Sequence, residues 1–109
     1  MTDITISDLS LDNDGFLSDT SQWTEDVASA LATDEGIELT DAHWEIIYAV
    51  RKFYEEFDLS PAMRPLSRYI KQTIGPDKAG SIYLMTLFPE SPARRVARIA
   101  GLPRPENCL

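Results

Sequence analysis

The residue with the most evident chemistry is Cys108, the only cysteine among 109 residues and the last but one of the chain. A lone structural cysteine is usually buried in a packed element. Pro103 and Pro105 stand just before Cys108, and two prolines one residue apart exclude both a helix interior and a central strand. Chain ends also generally lie at the surface. The sequence therefore predicts a thiol that another protein can reach.

The segment that carries this thiol, residues 101–109, is predicted to be an extended arm. Its nine residues span at most about 30 Å when fully extended, and its prolines stiffen it toward a polyproline-like rod. Arg104 favours the thiolate of Cys108, whereas the terminal carboxylate and Glu106 disfavour it. We therefore expect full activation of the thiol to require positive charge from a partner.

Other arrangements of reactive residues are poorly supported. His43 and Cys108 are the only His and Cys, so a zinc site would need carboxylates or a second chain to complete it, and we predict no metal site and no cofactor. Nothing in the sequence brings the two together as a nucleophilic pair. His43 is expected to be a surface or half-packed residue. The pairs Asp34-Glu35 and Glu55-Glu56 are explained better by solvated helix faces than by acid-base chemistry.

Composition restricts the partners and the compartment. A net charge of −8 and an isoelectric point near 4.4 oppose strong binding to nucleic acid or to an anionic membrane. No stretch approaches the roughly eighteen apolar residues that cross a bilayer, and no signal sequence is evident, so we expect a cytoplasmic protein. The basic residues near the end would either dock the tail in an acidic groove or form a solvated helix face; they are Arg94, Arg95, Arg98 and Arg104.

The elements that must position the arm are predicted to be mostly helices. Thr24 and Thr40 are N-caps, Ser60-Pro61 and Ser91-Pro92 open two further helices, and Gly101 ends the last one. Trp23 is expected to staple the start of the first helix. The predicted helices span residues 25–34 or 25–35, 41–57, 61–74, 78–87 and 93–100.

A β-hairpin is predicted before the helices, because residues 4–17 alternate apolar and polar up to Asp14-Gly15, a favoured hairpin pair. The helix at 41–57 is predicted to be central, with Phe57 ending its apolar stripe, and Ile82 and Met85 are predicted core residues of the fourth helix. The predicted fold is thus mainly α: a small orthogonal bundle of about five helices over residues 1–100, an N-terminal β-hairpin, and a flexible C-terminal arm over residues 101–109.

A rival interpretation is a helix-turn-helix DNA-binding regulator whose terminal thiol senses sulfur or oxidant. Two helices meet at residues 57–61, and Arg64, Arg68 and Lys71 lie on the second, where base-reading residues sit. The acidic net charge opposes this interpretation.

The C-terminal run, residues 98–109, resembles the DsrC/TusE family of small sulfur-trafficking proteins, which end in a Gly-Leu-Pro-basic-Pro-x-x-Cys-x arm. Blocks earlier in the chain resemble the family in the same order, so the likeness covers nearly the whole sequence. These blocks are residues 14–17, 21–23, 34–37, 43–45, 51–57, 60–64 and 83–89.

The resemblance implies a helical bundle with a mobile arm whose penultimate cysteine, here Cys108, receives and passes on sulfur. It implies supporting roles for Gly101 as a hinge, for Pro103 and Pro105 as stiffeners, and for Arg104 as a charge that aids docking or stabilises anionic sulfur. Simpler roles stay open: Gly101 as a helix C-cap and Arg104 as a solubilising residue.

One position at which this sequence differs from part of the family indicates which branch it resembles. The branch that serves dissimilatory sulfite reductase carries a second cysteine eleven positions before the penultimate one, and here that position is Ala97. The resemblance therefore implies a TusE-like carrier that takes persulfide sulfur from an upstream TusBCD-like relay complex and hands it to the tRNA 2-thiouridylase of the wobble uridine. The alternative within the family is a DsrC-related protein of sulfur oxidation or redox regulation, with a sulfite reductase-like complex as partner.

Overall fold

The computed structural model describes residues 4–106, and this part of the chain is helical. Three short 3-10 turns, at Ile6–Asp8, Thr20–Gln22 and Pro76–Lys78, connect or precede the helices. The five helices are α1 (Glu25–Asp34), α2 (Asp41–Phe57), α3 (Met63–Thr73), α4 (Ser81–Leu87) and α5 (Pro92–Ile99). The prediction of a mainly α fold with five helices is confirmed; the orthogonal crossing of the helices stays a prediction.

Local signals explain where most helices begin and end. Thr24 caps α1, its hydroxyl oxygen accepting the Val27 amide at 3.2 Å, and Gly36 follows the helix with φ of 73°. Asp58 adopts the left-handed conformation and ends α2. Pro92 stands at the first position of α5, where its missing N–H costs nothing.

The last helix, α5, is the centre of the bundle, and it packs against all four of the other helices. Val96 and Ile99 on it are fully buried, as are Ile46 and Val50 on α2. The prediction that α2 is central is therefore wrong. The C-terminal segment follows α5 directly, so it is attached to the helix that packs against all of the others.

The predicted N-terminal β-hairpin is wrong. Among residues 4–106 the only β pairing in this region is one isolated antiparallel bridge between Leu11 and Leu17. The Asp12 carboxylate accepts the backbone amides of Asp14 and Phe16, both at 2.9 Å, so side-chain bonds replace part of a ladder. Phe16 is completely buried, and the segment is anchored through it as a tight loop rather than as two strands.

Two helices start later than predicted. α3 begins at Met63 rather than at residue 61, and Pro65 lies in its first turn, where no intrahelical N–H is needed. α4 begins at Ser81 because Pro76–Lys78 forms a separate 3-10 turn.

Three predicted core residues are exposed: Ile82 by 84%, Met85 by 46% and Phe57 by 52%. The first two lie on the outer face of α4, while Leu84 and Leu87 occupy its inner face. Phe57 lies at the end of α2, beyond the point where the helix is covered.

No helix in the described part of the chain is long and apolar enough to cross a membrane. The proposed boundary between the body and a mobile arm at residue 101 stays a prediction. Leu102 and Pro105 are both buried, so the described beginning of the arm is packed on the helices.

Candidate functional site

The candidate site is the C-terminal arm together with the side chains that hold its beginning. α5 ends in a Schellman motif: the Gly101 amide donates to the Arg98 carbonyl at 3.1 Å and the Leu102 amide to the Ala97 carbonyl at 3.0 Å. Gly101 adopts φ of 73°, a conformation that favours glycine. The sequence-based role of Gly101 as a helix C-cap is therefore observed, and its role as a hinge stays a proposal.

Trp23 closes over the start of the arm. A Cβ atom at Gly101 would overlap the Trp23 indole, so glycine is required at this position by space as well as by its positive φ. The Trp23 indole N–H donates to the Ile99 carbonyl at 2.9 Å. Trp23 thus contacts the chain on both sides of the junction between helix and arm. Its role as the staple of α1 stays a prediction.

Arg51 on α2 completes this junction. Its guanidinium donates to the Ala100 carbonyl at 2.6 Å and lies 4.1 Å from the centre of the Trp23 ring. Burial lowers the pKa of Arg51, and the Glu55 carboxylate opposes that shift; arginine nevertheless keeps its charge in proteins. Two carbonyls at the end of α5 that have no helical partner are thereby satisfied by side chains.

Ser60 holds the next residue of the arm. Its hydroxyl donates to the Pro103 carbonyl at 2.5 Å, and Ser60 itself is buried. Ser60 does not cap α3 as predicted, because the helix begins at Met63 and its N-cap position is Ala62. We call Trp23, Arg51 and Ser60 the arm seat. No local sequence pattern marks these contacts, since they join positions 43 to 78 residues apart.

A groove of about 380 Å³ runs beside the arm. The body side is formed by the end of α2, the turn after it and the start of α3, and the other side by the arm. Its lining includes Tyr54, Leu59, Ala62, Pro65, Pro103, Arg104 and Glu106. The half-exposed Arg104 guanidinium lies 3.5 Å from the Asp14 carboxylate, a contact of small energetic weight in water.

The predicted nucleophile, Cys108, lies outside the described residues. Glu106 is the last residue described, two positions before it, and it is exposed. The structure therefore brings four of the five predicted site residues, Gly101, Pro103, Arg104 and Pro105, into one segment that leads to Cys108.

His43 has a structural role. It is buried, its Nδ1 accepts the Thr40 amide at 3.1 Å, and its Nε2 lies 2.8 Å from the Leu87 carbonyl. An amide can only donate and a carbonyl can only accept, so His43 is the neutral tautomer with its proton on Nε2. The expectation of a surface or half-packed histidine is wrong. Both ring nitrogens are occupied, which leaves neither for catalysis or for a metal.

The acidic pair Asp34-Glu35 has a structural role: the Glu35 side chain is nearly buried, whereas Asp34 remains exposed. Arg98 is buried, and its Nη1 lies 2.5 Å from Glu35 and 2.7 Å from Asp34, while Arg95 lies 3.2 Å from Glu35. Two of the basic residues expected near the arm therefore fasten α5 to the end of α1. Within residues 4–106 no group of three or more His, Cys, Asp or Glu side chains is arranged to hold a metal ion.

Comparison with known proteins adds independent information. The family model described as "DsrC like protein" matches residues 3–109. A curated relative from Haemophilus influenzae, named "Sulfurtransferase TusE homolog", is 50% identical over 109 residues, which is 100% of each chain. "Sulfurtransferase TusE" from Salmonella typhimurium is 46% identical over 102 residues, covering 94% of each chain.

Solved structures show the same fold. The NMR structure of Allochromatium vinosum DsrC matches with a TM-score of 0.83 and 40% identity, covering 93% of this chain and 90% of the other. The crystal structure of the oxidized gamma-subunit of the dissimilatory sulfite reductase (DsrC) from Archaeoglobus fulgidus matches with a TM-score of 0.78 and 42% identity, covering 93% and 92%. These likenesses extend along almost the full length of each protein.

Proposed function

This chain belongs to the DsrC-like protein family, and from that premise we propose that it is a sulfur carrier that accepts persulfide sulfur on Cys108. The observation that carries the proposal is the extent of the match. The family model runs through residue 109 and so includes the arm and its cysteine, and the relative named as a sulfurtransferase homolog aligns over the whole of both chains.

The transfer needs one thiol and no external oxidant. The Cys108 thiolate attacks the outer sulfur of a donor persulfide, R–S–SH, and forms a new S–S bond as the donor S–S bond breaks. The products are the Cys108 persulfide and the donor thiolate, R–S⁻, so sulfur, protons and electrons balance. A second transfer of the same kind passes the sulfur on and restores the Cys108 thiol.

Because the chain has no second cysteine, Cys108 must exchange sulfur with other molecules. Cys108 is the only cysteine in the sequence, and the position eleven residues before it is Ala97, which is buried in α5. A disulfide within one molecule is therefore impossible. Both the donor and the acceptor of sulfur must be other molecules.

The arm seat suits a carrier that presents its thiol to partners. Trp23, Arg51 and Ser60 fix the origin and the first direction of the arm on the central helix, and the exposed Glu106 precedes the thiol by two residues. We assign Gly101 as the hinge about which the arm would swing after it leaves the seat, and Pro103 and Pro105 as stiffeners of the released arm. A fixed origin followed by a stiff arm delivers a thiol to another active site at a defined distance.

We further propose that the pathway is 2-thiolation of the tRNA wobble uridine in the cytoplasm. The donor would be an upstream TusBCD-like relay complex and the acceptor a tRNA 2-thiouridylase. Support comes from the relatives named TusE and from the single thiol, which matches the TusE-like branch. The alternatives receive no such support. Ala97 takes the place of the second cysteine that the sulfite reductase branch needs for its two-cysteine cycle. The only basis for a DNA-binding regulator is the pair of helices that meet at residues 57–61, and the acidic net charge of the chain opposes DNA binding.

Mass spectrometry tests the carrier role. The protein is incubated with a cysteine desulfurase, cysteine and the relay complex, and intact mass is measured without reductant. We expect the mass to rise by one sulfur atom on Cys108, with no gain in Cys108→Ser. A wild-type protein that stays unmodified, while an established carrier is loaded in a parallel reaction, would refute the proposal.

A further inference from the structure

Three cations form one exposed line on α3. Arg64, Arg68 and Lys71 are all exposed, and their spacing of four and three residues places them on one face of the helix. Lys71 lies seven positions after Arg64, which is about 10 Å along the helix axis. We call these residues the basic stripe. It is an unusual feature in a chain whose net charge is −8.

Several of the other cations form ion pairs within the molecule. Arg95 and Arg98 pair with Glu35, Lys78 lies 2.8 Å from Glu45, and Arg104 contacts Asp14. None of the members of the basic stripe forms an ion pair within residues 4–106. Lys52 and Arg94 also form none there, but neither belongs to a row of three cations on one helix face. The charge of the basic stripe is therefore available to another molecule.

The basic stripe begins beside the arm. Ala62 and Pro65, at the start of α3, line the same groove as Pro103 and Glu106 of the arm. The opposite face of α3 is fixed in the core by Leu66 and Ile70, both completely buried. A partner that takes up the arm must approach this edge of the molecule, where α3 presents a row of positive charge on a helix that is fixed in the core.

We propose that the basic stripe docks onto a cluster of carboxylates on the sulfur-donating protein, beside the opening that receives the arm. An acidic protein surface fits better than a nucleic acid, because the excess of carboxylates on this chain repels a long polyanion but leaves a local contact possible. The docking would raise the rate of encounter and fix the orientation in which Cys108 enters. This inference rests on the proposed carrier function.

The test measures sulfur transfer to Cys108 from the persulfide-loaded relay complex as the concentration of the complex is varied. Arg68→Glu is compared with Lys52→Glu, because Lys52 is likewise exposed on a helix and makes no ion pair within the described residues. A variant with all three stripe residues changed to Glu, and the charge-conserving Arg68→Lys, complete the set. Loading by inorganic polysulfide, which needs no docking, checks that Cys108 remains reactive in each variant.

We expect Arg68→Glu to raise the half-maximal concentration of the complex about tenfold, and the triple variant to raise it further. The half-maximal concentration should stay near the wild-type value in Lys52→Glu and in Arg68→Lys. The extent of loading by polysulfide should be near the wild-type value in every variant. Added salt should weaken wild-type transfer more than transfer to the triple variant.

Equal effects of Arg68→Glu and Lys52→Glu would overturn the inference and leave the carrier function intact. Retention of bulk tRNA by the wild type but not by the triple variant, with unchanged transfer, would overturn it in favour of RNA contact. A wild-type protein that takes no sulfur from the complex would instead refute the carrier function, and the inference with it.

Discussion

At the scale of single residues, Gly101 is the most constrained position between the body and the arm. It combines a positive φ with the close approach of Trp23, and either condition alone disfavours a side chain. Gly36 offers a natural comparison, because it has the same φ of 73° but no neighbouring atom within 4 Å of where a Cβ would stand.

We predict that Gly101→Ala destabilises the protein by about 2 to 4 kcal/mol, the sum of backbone strain and overlap with Trp23. Gly36→Ala should cost about 1 kcal/mol, from strain alone. Urea unfolding followed by circular dichroism measures both values. Equal costs would mean that Trp23 moves aside and that the seat does not confine Gly101.

Ser60 is the seat residue whose contact reaches farthest along the arm, through the Pro103 carbonyl. Ser67 makes the same kind of bond, its hydroxyl donating to the Ala79 carbonyl at 2.5 Å, at a site away from the arm. The two serines therefore separate a general loss of stability from a local effect on the arm.

We predict that Ser60→Ala and Ser67→Ala each cost about 1 kcal/mol of stability, the typical net value of such a bond. Only Ser60→Ala should increase the motion of the arm, seen as lower ¹⁵N order parameters at the Arg104 and Glu106 amides. Unchanged order parameters in Ser60→Ala would show that the buried Leu102 and Pro105 hold this part of the arm without the hydroxyl.

At the scale of elements, α5 is fastened in its middle and at its C-terminal end. The ion pairs of Arg95 and Arg98 tie it to the end of α1, and the seat ties its last carbonyls to α2 and to the segment before α1. Arg98 also donates to the Gly15 carbonyl at 2.8 Å, which links the N-terminal loop to the same helix.

We predict that Arg98→Met destabilises the protein by about 3 kcal/mol, since it removes a partner of the nearly buried Glu35 carboxylate. Arg94→Met on the same helix, where no ion pair is observed among the described residues, should cost less than about 1 kcal/mol. Thermal unfolding at neutral pH compares the two variants, and similar losses would contradict the structural role of the Arg98 network.

Sequence patterns predicted the elements where one local signal dominates. The bounds of α1 and α2 follow from Thr24, Gly36 and Thr40, whose effects act within a few residues. The N-terminal hairpin was wrong because the Asp12 carboxylate takes amides that a second strand would have used. Periodicity also could not show that Ile82 faces outward, since α4 is short and the position of its neighbours decides which side is covered.

The candidate site also has a part that local sequence patterns predict and a part that they do not. The arm and its cysteine were recognisable from sequence, because a proline-rich end and a lone thiol are local features. The seat was not, since the contact between Trp23 and Gly101 joins residues far apart in the chain and depends on how α5 packs. Arg51 likewise carries no mark that distinguishes it from a solvated arginine.

At the scale of the whole molecule, the structure is an acidic helical body that holds the beginning of a short arm, and the sequence of that arm contains the single cysteine. The DsrC-like fold, the packed origin of the arm and the lack of a second cysteine fit a protein that moves sulfur between other proteins.

The most direct test of the central claim is the formation of 2-thiouridine in tRNA by a reconstituted relay of desulfurase, relay complex, this protein and thiouridylase, followed by nucleoside mass spectrometry. We predict that thiolation depends on the wild-type protein, is lost in Cys108→Ser, and is retained in the exposed control Lys52→Glu. Undiminished thiolation with Cys108→Ser would contradict a role for Cys108 as the sulfur carrier.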